Sequence, residues 1–111
     1  MKKILLFLII PFLNFGQEFV SNLPIILINT YGDSIVDDPR IISDMGIIHN
    51  HSKLNSLSDP YNNYNGKISI ELRGSSSQSV FPKKSYSLET QTLSGDNNNV
   101  SLLDLPIEND W

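Results

Sequence analysis

The chain has 111 residues, of which 40% are hydrophobic and 18% are charged, a composition typical of one small globular domain. Eight basic and twelve acidic residues give a formal net charge of -4. An acidic chain is not attracted to a phosphate backbone, so nucleic acid is excluded as an expected partner. The absence of cysteine excludes disulfide scaffolds, iron–sulfur sites, thiolate zinc sites and cysteine nucleophiles.

Residues 1–16 have the three-part pattern of a secretory signal peptide. Two lysines follow the initiating methionine, residues 4–13 are almost wholly apolar, and Gly16 is a small residue before polar sequence begins. The apolar run is short for a bilayer span and contains a proline, so we expect cleavage on export and no stable membrane span afterwards. An N-terminal anchor that is never cleaved is the alternative. The exported domain then comprises residues 17–111, in the periplasm, at the cell surface or outside the cell.

Two apolar segments follow, and both are rich in β-branched residues. Residues 23–30 form a short run bounded by Pro24 and by a Tyr-Gly-Asp turn. This run predicts a buried strand, since a helix would need more length. Residues 40–50 predict a second strand, with a possible bulge at Gly46. A short helix over residues 39–45 is the competing interpretation.

Alternation of apolar and polar residues marks two further strands, at residues 67–73 and 84–90. The apolar positions are Ile68, Ile70 and Leu72 in the first strand and Tyr86 and Leu88 in the second. Residues 50–66 are rich in Asn and Ser and are predicted to be a loop. No segment after the signal shows apolar residues at helical spacing over eleven or more positions. The sequence therefore predicts a mainly β fold, an antiparallel meander.

Positive charge is concentrated in the connection between the last two predicted strands. Removal of the signal would take two of the eight basic residues, and half of the remaining six lie in residues 73–84. Backbone N–H groups, hydroxyls and cations in such a loop can bind an anion, and arginine can direct two hydrogen bonds onto phosphate oxygens. The candidate phosphate-binding residues are therefore Arg73, Gly74, Ser75, Ser76, Ser77, Lys83 and Lys84.

A purely structural role is the alternative for the same connection. A loop rich in Ser and Gly is often only a solvated turn, with Lys83 and Lys84 protecting an exposed strand edge from aggregation. Arg73 would then pair with Glu71 or Glu89 across the ladder. The loop is not a Walker A loop, because it lacks the Gly-Lys-Ser/Thr ending.

Three blocks of sequence, in this order, resemble the N-terminal region of the CotH kinase family, the spore coat protein H-like secreted kinases. Residues 23–30 resemble the opening strand of that family. The most specific block is Arg-Gly-Ser-Ser-Ser-Gln at 73–78 followed by Phe-Pro-Lys-Lys-Ser-Tyr-Ser-Leu-Glu at 81–89. Residues 102–111 resemble the segment that comes next. The resemblance covers essentially everything from Leu23 to Trp111.

The resemblance implies an atypical secreted protein kinase that transfers phosphate from ATP, with Mg²⁺ or Mn²⁺, to Ser or Thr of extracytoplasmic proteins. The predicted strands would belong to the β-rich N-terminal part of an α+β, protein-kinase-like fold that covers the nucleotide. In the family the acidic metal-binding and catalytic residues lie beyond the position of Trp111. The chain by itself is therefore expected to be an inactive fragment without catalytic residues. A non-catalytic surface module for adhesion or carbohydrate binding on the same scaffold is the alternative.

The two histidines are the remaining candidates for chemistry. His49 and His51 are two positions apart, so on a strand they would point to the same face. Two imidazoles so placed can bind zinc, with Asp44 or Asp59 as a third ligand. The sequence has no further histidine and no cysteine to complete such a site. We therefore expect an exposed polar edge here and no metal site.

Overall fold

Two antiparallel sheets make up the computed structural model, which describes residues 19–51, 53–74 and 82–111. The predicted signal peptide lies outside the described residues. These three ranges contain no helix, and therefore no helix that is long and apolar enough to cross a membrane. The strands are β1 Val20–Ser21, β2 Ile25–Asn29, β3 Ile41–Ile48, β4 Asn55–Ser56, β5 Tyr64–Arg73 and β6 Ser85–Gln91.

The main sheet has the order β2-β3-β5-β6, and every neighbouring pair is antiparallel. β1 and β4 form a separate two-stranded sheet. The predicted mainly β fold and the antiparallel meander are therefore confirmed. β4 lies inside the stretch predicted to be a loop, and β5 begins three residues earlier than the alternation indicated. β4 and the first three residues of β5 contain too few apolar residues for an apolar–polar alternation to be recognised.

The second predicted strand is confirmed, but its predicted bulge is not. Gly46 pairs with Leu27 on one side and with Asn65 on the other, without a break in register. The competing helix over residues 39–45 is also wrong, because Ile41 already begins β3. Glycine is favoured at position 46 because another side chain needs the space, and not because of a bulge. A Cβ atom at Gly46 would lie within 3.0 Å of three ring carbons of Tyr61, so the ring packs directly on this backbone.

One face of the main sheet, which we call the core face, carries most of the buried apolar side chains. Directly paired residues share a face, and alternate positions of β3 and β5 therefore meet on this side. The cluster is covered by the segment after β6, which contributes a buried Leu102 and a partly buried Trp111. The buried members on the sheet are Met45, Ile47, Tyr64, Ile68 and Ile70.

The last residues of the chain extend the sheet beyond β6. The backbone N–H of Leu88 donates to the carbonyl of Trp111 at 2.9 Å, and the N–H of Trp111 donates back at 2.8 Å. The N–H of Thr90 donates to the carbonyl of Asn109 at 2.9 Å. This pairing satisfies backbone groups on the outer edge of β6 and holds Trp111 against the core.

Tyr64 links the core to the polar side of β5. Its hydroxyl donates a hydrogen bond to the carbonyl oxygen of Lys67 at 2.6 Å, while the ring is buried. Burial raises the pKa of the Tyr64 hydroxyl above its ordinary value, and a hydrogen bond with the Asn98 side chain partly offsets this.

Candidate functional site

The predicted phosphate-binding residues belong to the hairpin that joins β5 to β6. Arg73 is the last residue of β5 and pairs with Ser85, the first residue of β6. Lys83 and Lys84 are exposed and directly precede β6. The ladder therefore brings the two ends of the connection together, with Arg73 on one arm and the two lysines on the other. The predicted contacts at Ser75, Ser76 and Ser77 lie outside the described residues.

Gly74 turns the chain away from β5. Its φ of 87° lies in the left-handed region, where a Cβ atom is unfavourable. Glycine is therefore suited to this position, where the strand ends and the connection begins. Its backbone N–H belongs to the group of atoms that the sequence predicts for anion binding.

Arg40, and not Arg73, binds the two glutamates at the base of the hairpin. Its Nη2 atom lies 3.0 Å from Oε1 of Glu71 and 3.8 Å from Oε2 of Glu89. The same nitrogen donates to Oγ of Ser87 at 3.1 Å. The alternative role predicted for Arg73, pairing with these glutamates, is therefore wrong, because an arginine from the β2–β3 connection occupies that place.

A cleft of about 580 Å³ lies further along the same face, which we call the polar face. Nζ of Lys67 lies 2.8 Å from Oδ1 of Asp44, the residue directly opposite it on β3, and 5.9 Å from the centre of the Tyr31 ring. Arg73 is six positions after Lys67 on β5, about 20 Å of extended chain. The described candidate residues of the hairpin do not line this cleft. Side chains that do include Asn29, Asp44, Tyr61, Asn65, Lys67 and Leu93.

The core face carries an apolar groove of about 270 Å³. Ile26 and Ile28 of β2 form one side of the groove and are substantially exposed. Tyr86 and Trp111 form part of the opposite side. The segment that covers the core thus leaves the β2 side of this face open, which is an unusual exposure of apolar surface for a small domain.

The two histidines do approach a carboxylate, but neither of the predicted ones. His49 and His51 lie beyond the end of β3, and Nε2 of His51 lies 2.8 Å from Oδ2 of Asp104. Asp44 is instead paired with Lys67, and Asp59 accepts hydrogen bonds from Asn50 and Ser56. The predicted third ligands are therefore wrong, since long-range folding brings a different aspartate to the histidines.

Sequence reasoning missed Arg40 and Asp104, because both act across large distances in the chain. Arg40 bonds to groups 29 and 47 positions away, and Asp104 meets a histidine 53 positions away. No periodic pattern signals such contacts. The Asp44–Lys67 pair could have been found from opposite charges on adjacent strands, but only once the strand register was known.

Comparison of the chain with known protein families, with characterised proteins and with solved structures finds no match.

Proposed function

We propose that this chain is the β-rich, nucleotide-covering part of a secreted CotH-type protein kinase, and that the β5–β6 hairpin holds the phosphates of ATP. The observation that carries the proposal is the position of Arg73, Lys83 and Lys84, which the ladder brings to one end of the sheet. The resemblance of the same segment to the family supports it. The substrates would be Ser or Thr residues of extracytoplasmic proteins.

The distribution of charge supports this choice of site. Arg40 and Lys67, two other basic residues of the described chain, are engaged by carboxylates. Their fields are largely cancelled nearby. Half of the basic residues after the predicted signal peptide lie in residues 73–84, so the hairpin is the segment richest in basic residues on an acidic protein. A polyphosphate approaching the protein would be attracted to this end of the sheet.

The hairpin would act by positioning and charge neutralisation. Phosphoryl transfer requires the transferred group to be held in line while charge on its oxygens is stabilised. The Arg73 guanidinium can donate two hydrogen bonds to one phosphate, and the lysines supply point charges from the opposite arm. Arg73 is in the β-ladder and the two lysines directly precede it on the other arm, so the backbone at both arms is anchored beside the ladder.

The described residues near the hairpin do not fit a Mg²⁺ or Mn²⁺ site. Such cations need carboxylate oxygens, and the carboxylates on the two arms of the hairpin, those of Glu71 and Glu89, are bound by Arg40. We therefore assign no metal ligand and no catalytic residue to the described part of the chain. Its proposed contribution is to bind and orient the nucleotide.

Carbohydrate binding is the second candidate function, and the cleft on the polar face favours it. Tyr61 presents an aromatic ring beside the carboxylate of Asp44 and the amide of Asn65. An aromatic surface with a few convergent polar groups is typical of small-ligand sites. In this role the protein would be a surface binding module, and the hairpin would be only a charged turn.

Nucleotide affinity of the Lys83→Ala/Lys84→Ala double variant distinguishes the two roles. We expect this variant of the full-length gene product to bind ATP–Mg²⁺ at least about tenfold more weakly, because each lost charge-assisted hydrogen bond contributes about 1.5–3 kcal/mol. Isothermal titration calorimetry measures the change. Lys53→Ala is the matched control, since Lys53 is exposed and lies at the opposite end of the sheet.

Equal ATP affinity in the wild type, the double variant and the control would contradict the phosphate role. Loss of binding to an oligosaccharide panel in a Tyr61→Ala variant would support the carbohydrate role instead.

A further inference from the structure

His49, His51 and Asp104 converge at the end of the sheet opposite the hairpin. Nε2 of His51 lies 2.8 Å, and Nε2 of His49 3.8 Å, from Oδ2 of Asp104. One ligand atom from each residue lies within 4.8 Å of the other two. The imidazole centroids are 4.2 Å apart. We propose that these three side chains bind a divalent transition-metal cation, and that zinc is the metal they suit best.

The distances are close to those that zinc requires. Zinc–nitrogen and zinc–oxygen bonds of about 2.0–2.2 Å in a tetrahedron place neighbouring ligand atoms about 3.3–3.6 Å apart. For zinc to bind, the 2.8 Å distance from His51 to Asp104 must increase slightly, and the 3.8 Å distance from His49 to Asp104 must decrease slightly. Both changes are within reach of side-chain rotation alone. Imidazole and carboxylate are established zinc ligands, whereas Mg²⁺ and Ca²⁺ prefer oxygen ligands only.

The orientation of His49 leaves one nitrogen for the metal. Its Nδ1 atom is buried and has no hydrogen-bond partner among the described residues. Its Nε2 atom is the one that faces Asp104. Coordination through Nε2 therefore requires no reversal of the ring to exchange its two nitrogens. The side chains of His51 and Asp104 are 64% and 68% exposed, so solvent can supply a fourth ligand.

Two adjacent asparagines fix the two loops that carry the ligands. Oδ1 of Asn62 accepts a hydrogen bond from the N–H of His49 at 2.8 Å. Oδ1 of Asn63 accepts one from the N–H of Leu103, next to Asp104, also at 2.8 Å. Both loops are thus held by the same short segment before β5, although they are distant in sequence. A preorganised frame of this kind reduces the entropy that metal binding would otherwise lose.

The backbone at the aspartate is also held in an uncommon conformation. Leu103 and Asp104 have φ values of 53° and 65°, in the left-handed region that is unfavourable for residues with a Cβ atom. This turn directs the Asp104 carboxylate toward the histidines. Non-glycine residues in this region often accompany functional sites, because the surrounding structure must maintain them.

Zinc titration of the protein without an affinity tag tests the proposal. We expect saturable binding of one Zn²⁺ per chain by isothermal titration calorimetry, with a rise in melting temperature, and none with Mg²⁺. Asp104→Asn and His51→Ala change exposed side chains, so folding should be retained. Each should weaken zinc binding by more than about 10–100-fold, the loss typical of an outer-shell partner alone. Asp37→Asn, an exposed carboxylate at the opposite end of the sheet, is the matched control.

Cobalt provides a spectroscopic readout that a simple His–Asp hydrogen bond would not produce. The wild type should give the intense visible absorption of tetrahedral Co²⁺, and Asp104→Asn should lose it. If wild type and both ligand variants bind zinc equally, or if none binds it, the cluster is only a hydrogen-bonded group and the proposal fails. The hairpin lies at the other end of the sheet, so its nucleotide affinity is measured separately from this outcome.

Discussion

Replacement of Ile68 by alanine is expected to lower the free energy of unfolding by about 2–5 kcal/mol. Ile68 is 0% exposed and lies at the centre of the core face on β5. The substitution removes three buried carbons and leaves a cavity that the paired strands cannot close without breaking their register. Urea denaturation followed by circular dichroism measures the effect.

Ile42→Ala provides the matched control for this prediction. Ile42 lies on the neighbouring strand β3 but points to the other face, and it is 55% exposed. Its replacement should change the free energy of unfolding by less than about 0.5 kcal/mol. Equal effects at the two positions would show that the core face is not the side that stabilises the protein.

Gly46→Ala is expected to destabilise the protein by about 1–3 kcal/mol, because the new methyl group would overlap the Tyr61 ring. The backbone of Gly46 is not in the left-handed region, so alanine itself is compatible with the strand. The same substitution in a Tyr61→Ala background should therefore be neutral or stabilising by about 0.4–1 kcal/mol. A double-mutant cycle of the unfolding free energies measures the difference.

An equal loss of stability in both backgrounds would contradict this explanation of Gly46. It would place the requirement for glycine in the strand backbone rather than in ring packing. The result also bears on the cleft, because Tyr61 forms one of its walls.

Strand positions were predictable because their physical signals are local. The alternation in residues 67–73 determines which side chains of β5 face the core, and Ile68 and Ile70 are indeed buried there. The β-branched run of residues 23–30 contains β2 for the same reason, but its predicted burial is wrong, because β2 is an edge strand in which only Ile25 is buried. The meander agrees with the general tendency of strands that follow one another in the chain to be neighbours in the sheet.

The packing of Tyr61 on Gly46 could not be predicted from sequence, because a glycine in a strand can indicate more than one local structure. A glycine within a strand pattern is compatible with a bulge or with a closely approaching group. Only the folded chain shows that Tyr61, which lies in the loop before β5, occupies the space above Gly46. Registers and loop paths are set by the whole sheet, so this information is absent from a local window.

The candidate site residues also fall into two groups, those that are close in sequence and those that only folding brings together. Arg73, Lys83 and Lys84 are candidates because they cluster in sequence, and the ladder places both arms of their hairpin together. Asp104 was missed because its approach to His51 depends on how the segment after β6 folds back. The histidine pair was visible in sequence, but its carboxylate partner was not.

The most direct test of the proposed nucleotide site is a crystal structure of the full-length gene product bound to a non-hydrolysable ATP analogue with Mg²⁺. We predict that phosphate oxygens accept hydrogen bonds of about 2.7–3.2 Å from Arg73 and from at least one of Lys83 and Lys84. A structure in which the analogue is bound elsewhere, with the β5–β6 hairpin directed away from its phosphates, would contradict the proposal.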